Sequence, residues 1–178
     1  NSSYKIAVDN LYDVNGIAAR LEYSVTLFKL PKYDVKLDSK LNSISSSVYN
    51  IDNKHKIITG VKPSTTVSVF KSNIEHDGYT IKIINYRNKE VTSGGIGTSA
   101  KAIFLCDNKA AVEYTIVVYG DLTGEGNVNN NDKNELYKHL LGKKKLTGYF
   151  KMAADVNHDG IINTLDLLLL NNYIDGKS

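Results

Sequence analysis

The order of apolar and polar positions divides this chain into a β-rich part and a helical part. From position 17 to 27, apolar residues alternate with polar ones such as Arg20 and Glu22, and this period of two is typical of a half-buried strand. Apolar runs separated by turn residues predict further strands at 4–8, 56–59, 79–86, 100–105 and 113–119. The first two thirds of the chain are therefore expected to form a sheet or a sandwich.

One segment of the β-rich part has a helical period instead. The apolar residues Val67, Phe70 and Ile74 recur at spacings of three and four positions. Ser64 or Thr65 is available as the N-cap. This segment is predicted to form a short amphipathic helix that packs on the sheet.

After Gly120 the pattern changes to two acidic, Asn- and Gly-rich loops that each run into a Leu-rich helix. The first loop covers 121–132 and the second 155–166, so the two copies lie 34 residues apart. In both copies polar residues occupy positions 1, 3, 5, 9 and 12, and a glycine occupies position 6. This is the pattern of a 12-residue EF-hand-type calcium loop.

The two loops are predicted to hold two calcium ions, because calcium takes six to eight oxygen ligands from alternate positions of a tightly turning loop. The predicted ligands are Asp121, Thr123, Glu125, the Asn127 carbonyl, Asn129 and Asp132 in the first loop, and Asp155, Asn157, Asp159, the Ile161 carbonyl, Asn163 and Asp166 in the second. Glu125 and Thr123 are the less usual ligands, so the first site is expected to bind more weakly. A lone stretch of this composition would suit a solvated turn equally well, but two copies in register favour metal sites. Three carboxylates in each loop repel one another without metal, so metal binding should be coupled to folding.

The paired loops resemble those of type I dockerins. A predicted strand precedes the first loop and both loops close with Asp, whereas a sensor EF-hand has a preceding helix and a closing Glu. The resemblance covers about residues 119–176. It implies a secreted docking module that attaches its parent protein to a cohesin on a scaffold or cell-surface protein, in a cellulosome-like assembly for polysaccharide degradation. We expect the chain to be monomeric when free.

The resemblance also implies which residues contact the partner. They are Asn130, Asn131, Lys138 and His139 after the first loop, and Thr164, Leu165 and Asn172 after the second. Asn171 and Asn172 stand where type I dockerins usually have Lys and Arg, and the two sets differ from each other. One preferred binding orientation is therefore expected, although the two faces could still serve different partners.

The second Leu-rich helix is apolar over more than one face. Across the 34-residue offset, Leu170 and Ile174 match Leu136 and Leu140, which predicts a shared buried stripe. The apolar residues without a match in the first copy are Leu165, Leu168, Leu169 and Tyr173, which replace Asn131, Asn134, Glu135 and His139. They either pack against the first helix and the β-rich part or form an exposed patch for the partner.

A second resemblance rests on two stretches before the first loop, 48–63 and 95–118. They resemble a small X-module of the kind that precedes dockerins in secreted Firmicute proteins. The Ser-rich run at 42–47 is the best candidate for a domain boundary or an exposed connection. We therefore expect an α+β fold with a β-rich segment at 1–46, an X-like module at 47–118 and a dockerin at 119–178. The segment at 1–46 is either separate or part of the X-like module. The X-like module would stabilise or extend the dockerin.

Composition weakens several other functions. The net charge is only +3 with scattered lysines, which does not favour nucleic-acid binding, and no apolar run is long enough to span a membrane. The single Cys106 follows an apolar run and forms no disulfide within one chain. The histidines lie far apart without a neighbouring nucleophile, so no enzyme is expected; they are His55, His76, His139 and His158. Without an initiator Met, the sequence looks like a piece of a longer protein.

Two alternative functions remain open from the sequence. The first is a carbohydrate-binding or structural surface module whose calcium sites only stabilise the fold. The β-rich part has no Trp but many tyrosines that could stack on sugars. These tyrosines are Tyr4, Tyr12, Tyr23, Tyr33, Tyr49, Tyr79 and Tyr86. Strand tyrosines are more often packed in a core. The second alternative is a calcium buffer or sensor.

Overall fold

The chain forms two compact units, residues 1–39 and 40–178. The structure is a computed structural model that describes residues 2–12, 18–27, 44–75 and 78–177. For residues 2–12, 18–27, 109 and 111 it describes the backbone only. Tyr33 and His76, which the sequence analysis singled out, lie outside the described residues.

The first unit contains an antiparallel pair of strands. Strand β1 (Ser2–Tyr12) pairs with β2 (Ala18–Leu27). The register shifts between Val8 and Leu11, which marks a bulge. Both strands were predicted, β2 from the alternating pattern and β1 from the apolar run at 4–8, although β1 is longer than expected.

The second unit begins with a five-stranded sheet. Its strands are β3 (Asn50–Asp52), β4 (Ile57–Thr59), β5 (Thr80–Ile84), β6 (Lys101–Cys106) and β7 (Lys109–Ile116). Their order is β3-β4-β7-β6-β5. Only the β4–β7 pair is parallel; the other neighbours are antiparallel. The sequence left a sheet and a sandwich open, and the described strands of this unit form a single sheet.

A short helix covers this sheet and completes its core. Helix α1 (Val67–Ser72) buries Val67 and Phe70. Tyr49 is buried and its ring stacks on Phe70 at a centroid distance of 5.2 Å. Phe104 and Tyr114, on the central strands, are fully buried in the same cluster. The predicted helix is confirmed, but its N-cap is Thr66, whose side chain accepts from the Val69 amide, and not Ser64 or Thr65.

The helical part has three helices and its own core. They are α2 (Asn130–Leu140), α3 (Gly148–Ala154) and α4 (Thr164–Ile174). Leu136 and Leu170 are buried at the centre, and Leu140 and Ile174 pack against them at its edge. The shared buried stripe predicted from the 34-residue offset is therefore confirmed.

Two elements were missed and one was misplaced at its end. Strand β3 and helix α3 were not predicted from the sequence. The strand predicted at 113–119 ends at Ile116, and the fully buried Val117 and Val118 continue as irregular chain into the first loop. The predicted α+β class, with the sheet before the helices, agrees with the structure.

Candidate functional site

The first loop wraps its backbone around the carboxylate of Asp121. This carboxylate accepts hydrogen bonds from the amides of Gly124 (2.8 Å), Glu125 (3.1 Å) and Gly126 (3.0 Å), all within the loop. At the other end, Asp132 accepts from the amide of Leu122 at 2.9 Å. The first and twelfth positions of the loop are thus fixed by the loop's own backbone.

The second loop repeats this arrangement. Asp155 accepts from the amides of Asp159 (3.1 Å) and Gly160 (2.9 Å), and Asp166 accepts from Val156 at 2.8 Å. The sixth-position glycines Gly126 and Gly160 have φ angles of +81° and +84°. Because other residues rarely adopt this backbone conformation, the glycines make the sharp turn that the sequence predicted.

The residues at the ninth and twelfth positions also cap the following helices. The side chains of Asn129 and Asn163 accept from amides of α2 and α4. In turn, Asp132 and Asp166 accept from the backbone amides of Asn129 and Asn163. Each pair is a capping box. The Asn129 and Asn163 side chains therefore cap the N-termini of these helices, in addition to their predicted role as ligands.

The donor chemistry of both loops fits a hard cation. All predicted ligand atoms are oxygens, from carboxylates, Asn and Thr side chains and backbone carbonyls. Asp121 and Asp132 are fully buried, and neither has a Lys, Arg or His partner within the part of the chain that the structure describes. Burial raises the pKa of the Asp121 carboxyl, and the nearby Asp132 charge raises it further. A bound cation would relieve both penalties.

The carboxylates alone do not make a metal site. Among the described residues, no group of three or more His, Cys, Asp and Glu side chains is arranged to hold a metal ion. In the first loop the Thr123 hydroxyl donates to Asp132 at 2.9 Å, and in the second the Asn157 amide donates to Asp159 at 2.8 Å. Ile161 is exposed, with its carbonyl at the seventh position of the loop. The assignment of the twelve predicted ligands to calcium thus stays a prediction that depends on the Asn, Thr and carbonyl oxygens.

The two loops differ in their surroundings. The outer side of the first loop packs against residues of the β-rich part: Ser64 donates its amide to the Gly126 carbonyl and its hydroxyl to Asn127, and the Thr98 amide donates to Asp121. The second loop is open, with His158, Asp159 and Gly160 exposed. The sequence predicted no such difference, because it depends on a contact between distant segments.

An exposed apolar face lies on α4. Leu165, Leu168, Leu169 and Tyr173 are 44%, 55%, 37% and 46% exposed. Leu168 and Leu169 follow Leu165 by three and four residues, and Tyr173 follows Leu169 by four, so the four side chains share one side of the helix. Of the two explanations left open by the sequence, burial against neighbouring elements and an exposed patch, these exposures agree with the patch.

A groove of about 370 Å³ runs beside this face between α2 and α4. It is lined by Lys133, Asn134, Tyr137, Thr164, Leu167, Leu168 and Asn171. Lys133 donates to the Asn171 side chain at 3.1 Å, which joins the two helices. Tyr137 is 52% exposed and was not among the predicted contacts, although its position on α2, next to Lys138, could have indicated it.

The remaining predicted partner contacts fall into two groups. Asn130, Asn131, Lys138 and Thr164 are exposed, and Asn172 is half-buried. His139 is half-buried and its Nδ1 accepts from the Leu146 amide at 3.1 Å, so it holds the chain that follows α2. Whether these residues contact a partner stays a prediction.

Two of the other histidines have partners. His55 contacts the Asp52 carboxylate at 2.6 Å, and hydrogen bonds from His55 hold the pKa of that carboxyl below its usual value. The exposed ring of His158 meets the Tyr119 ring at 4.0 Å, edge to face. Neither is a hydrogen-bonded triad with a nucleophile.

The tyrosines of the β-rich part give little support to sugar stacking. Tyr49 is in the core, and Tyr86 is half-buried with its ring against Phe150 at 6.1 Å. Tyr79 is half-buried, and burial raises its pKa. Those of β1 and β2 lie outside the described side chains. None of the helices described is both long and apolar enough to cross a membrane.

Comparison with known proteins finds a family match for the helical part. Residues 119–175 match the family model of the dockerin type I domain. No curated protein and no solved structure gives a significant match. The matched segment covers both loops and helices α2, α3 and α4. The C-terminal segment of this chain, residues 119–175, is therefore a type I dockerin domain.

Proposed function

We propose that this chain anchors its parent protein to a cohesin on a scaffold or cell-surface protein, with one calcium ion in each loop and the apolar face of α4 at the contact. Dockerin domains in general dock to cohesins in a calcium-dependent way, and they are not catalytic. Dockerins also occur in extracellular cellulosome components. For this chain we infer the same secreted, cell-surface setting, in an assembly that degrades polysaccharide.

The observation that carries the proposal is the exposed apolar face of α4. An unpartnered row of three leucines and a tyrosine is unfavourable in water and favours a partner surface. Each leucine buried in a complex would contribute roughly 1.5 to 3 kcal/mol before the costs of association. The docking helices are held in place by the capping boxes and by the core around Leu136 and Leu170.

The face also favours one binding orientation. The equivalent positions on α2 are polar: Asn131, Asn134, Glu135 and His139. Glu135 is paired with Lys138 and Lys144, which hold the pKa of its carboxyl below the usual value. A cohesin that buries apolar surface would therefore prefer the α4 side, and α2 would contribute Tyr137 across the groove.

The residues at 47–118 would act as the companion module of the dockerin. The contacts of Ser64 and Thr98 with the first loop support a stabilising role. The alternative function, a carbohydrate-binding or structural surface module with purely stabilising calcium, is weakened by the burial of Tyr49.

Calorimetry of the full chain against a panel of cohesins, with calcium and with a chelator, tests this proposal. We expect binding to at least one cohesin in calcium and none in chelator. Failure to bind any cohesin in calcium would contradict the docking function, while calcium binding to the chain alone would still support the metal sites.

Alanine variants test the α4 face. Leu165→Ala and Leu168→Ala should each weaken cohesin binding about tenfold or more, because each loses roughly 1.5 to 3 kcal/mol of apolar burial. The melting temperature should stay unchanged since both side chains are exposed. Val69→Ala removes a comparably exposed apolar side chain from α1, away from α4. It is the matched control and should leave binding unaltered. Full affinity in both leucine variants would exclude this face.

A further inference from the structure

A turn of the β-rich part forms one wall of the first calcium loop. We call residues 94–98, between β5 and β6, the glycine turn. Its last residue, Thr98, is fully buried and donates its amide to Asp121 Oδ2 at 2.8 Å. The first-position carboxylate of the loop thus accepts a bond from outside the dockerin domain, in addition to those from its own loop.

The side chain of Thr98 fixes the turn to the chain that leads into the loop. Its hydroxyl donates to the Val118 carbonyl at 2.9 Å and accepts from the Val118 amide at 3.1 Å. Because Val118 lies three residues before Asp121, these bonds fix the distance from the turn to the carboxylate. The Thr98 amide is therefore held in place for Asp121.

The backbones of the turn and the loop also approach too closely for side chains. A Cβ on Gly97 would overlap the Gly124 carbonyl and lie 2.7 Å from the Gly126 nitrogen. A Cβ on Gly126 would lie 2.8 Å from the Ile96 carbonyl. Such distances are below van der Waals contact, so glycine at 97 is required for the two segments to meet as they do.

The second loop has no such wall and serves as an internal reference. Asp155, which matches Asp121, accepts amide bonds only from Asp159 and Gly160 within the described residues. A Cβ on Gly160 would meet nothing within 4 Å. The contact with the glycine turn therefore distinguishes the surroundings of Asp121 from those of Asp155.

From this geometry we infer that Gly97 and Thr98 are positioning residues for calcium in the first loop. This inference rests on the proposed function, in which the first loop binds calcium. The turn holds Asp121 in place before metal arrives, so less chain entropy is lost on binding. Because coupling between two sites is reciprocal, calcium in the first loop also stabilises the glycine turn.

Calcium titration of the full chain, followed by NMR, tests this inference. Gly126 and Gly160 donate their amides to Asp121 and Asp155, so each amide signal reports on the carboxylate of its own loop. Gly97→Ala should weaken the calcium affinity of the first loop, read from the Gly126 signal, tenfold or more. The affinity of the second loop, read from the Gly160 signal, should change less than twofold. Gly95→Ala is the matched control in the same turn, because its Cβ would have its nearest neighbour at an ordinary 3.7 Å. Equal weakening by both variants, or equal loss in both loops, would overturn the inference.

Two further measurements test the inference even if the Gly97→Ala chain fails to fold. In the unaltered chain, calcium should slow hydrogen exchange of the Thr98 amide at least tenfold, and this effect should persist in Asp155→Ala, which lacks the second site. Thr98→Ser keeps the hydroxyl and should retain calcium affinity in the first loop, whereas Thr98→Val should lose it. If calcium shifts the Gly126 signal but the exchange of the Thr98 amide stays unchanged, the coupling is refuted while the first calcium site stands. A Gly126 signal that never responds to calcium would instead refute the first site of the proposed function.

Discussion

At the scale of single residues, helix α4 separates structural from candidate docking side chains within one turn. Leu170 is 1% exposed at the centre of the helical core, while Leu168, two positions earlier, is 55% exposed. Both are leucines in an almost uniform Leu run, so only their direction from the helix axis distinguishes them. The 34-residue offset had already indicated Leu170, because Leu136 matches it in a more polar copy of the helix.

Alanine substitution should separate the two leucines in a stability measurement. Leu170→Ala should lower the free energy of unfolding by about 2 to 5 kcal/mol, since it removes apolar contacts and leaves a cavity. Leu168→Ala should change it by less than about 0.5 kcal/mol. Chemical denaturation of the calcium-loaded chain measures both. Equal costs would mean that Leu168 is covered within the chain.

At the scale of elements, the helices that follow the loops were predictable and the one between them was not. Helices α2 and α4 begin at loop residues whose capping pattern is local, with Asn129 and Asn163 before an acidic third position. Helix α3 has only seven residues, begins at Gly148, and no side chain caps it. Its helical form depends on burial of Ala153 and Ala154, which is tertiary information. The three-residue strand β3 was missed because so short a strand has no readable period.

The cap of α4 gives a prediction that separates helix capping from metal binding. In chelator, Asn163→Ala should lower stability by about 0.5 to 2 kcal/mol, because the Leu165 amide loses its acceptor. Asn163→Ser should restore most of this loss, since Ser is a comparable cap. In calcium, Asn163→Ala should cost more than in chelator if its oxygen also serves the metal. Thermal denaturation of the three chains in both conditions measures this, and equal losses would leave Asn163 as a cap only.

At the scale of the whole unit, the sheet and the dockerin domain have separate cores but share a continuous contact. One core surrounds Phe104 and Tyr114, and the other surrounds Leu136 and Leu170. Between them run the buried Val117 and Val118 and the bonds from Ser64 and Thr98 to the first loop. The sequence predicted the loops but not this contact, because nothing local in the Gly-Ile-Gly-Thr run at 95–98 indicates a distant carboxylate.

Such a contact should make the two cores unfold together. Phe104→Ala should destabilise the sheet by about 3 to 5 kcal/mol. Hydrogen exchange of the α4 amides should then accelerate along with that of the β6 amides, although α4 is far from the substitution in sequence. Val69→Ala, on the exposed side of α1, should alter neither set. Faster exchange in β6 with unchanged exchange in α4 would show that the cores are energetically independent.

The burial of Val117 and Val118 has a consequence for the direction in which a docked protein points. A docking module on a loose tether leaves its cargo free to swing, but here the last strand of the sheet passes into the first loop without an exposed linker. A partner held on α4 would therefore fix the orientation of the five-stranded sheet as well. The attachment would thus set the direction of the residues from 44 onward, whereas a flexible linker would only keep them close to the partner.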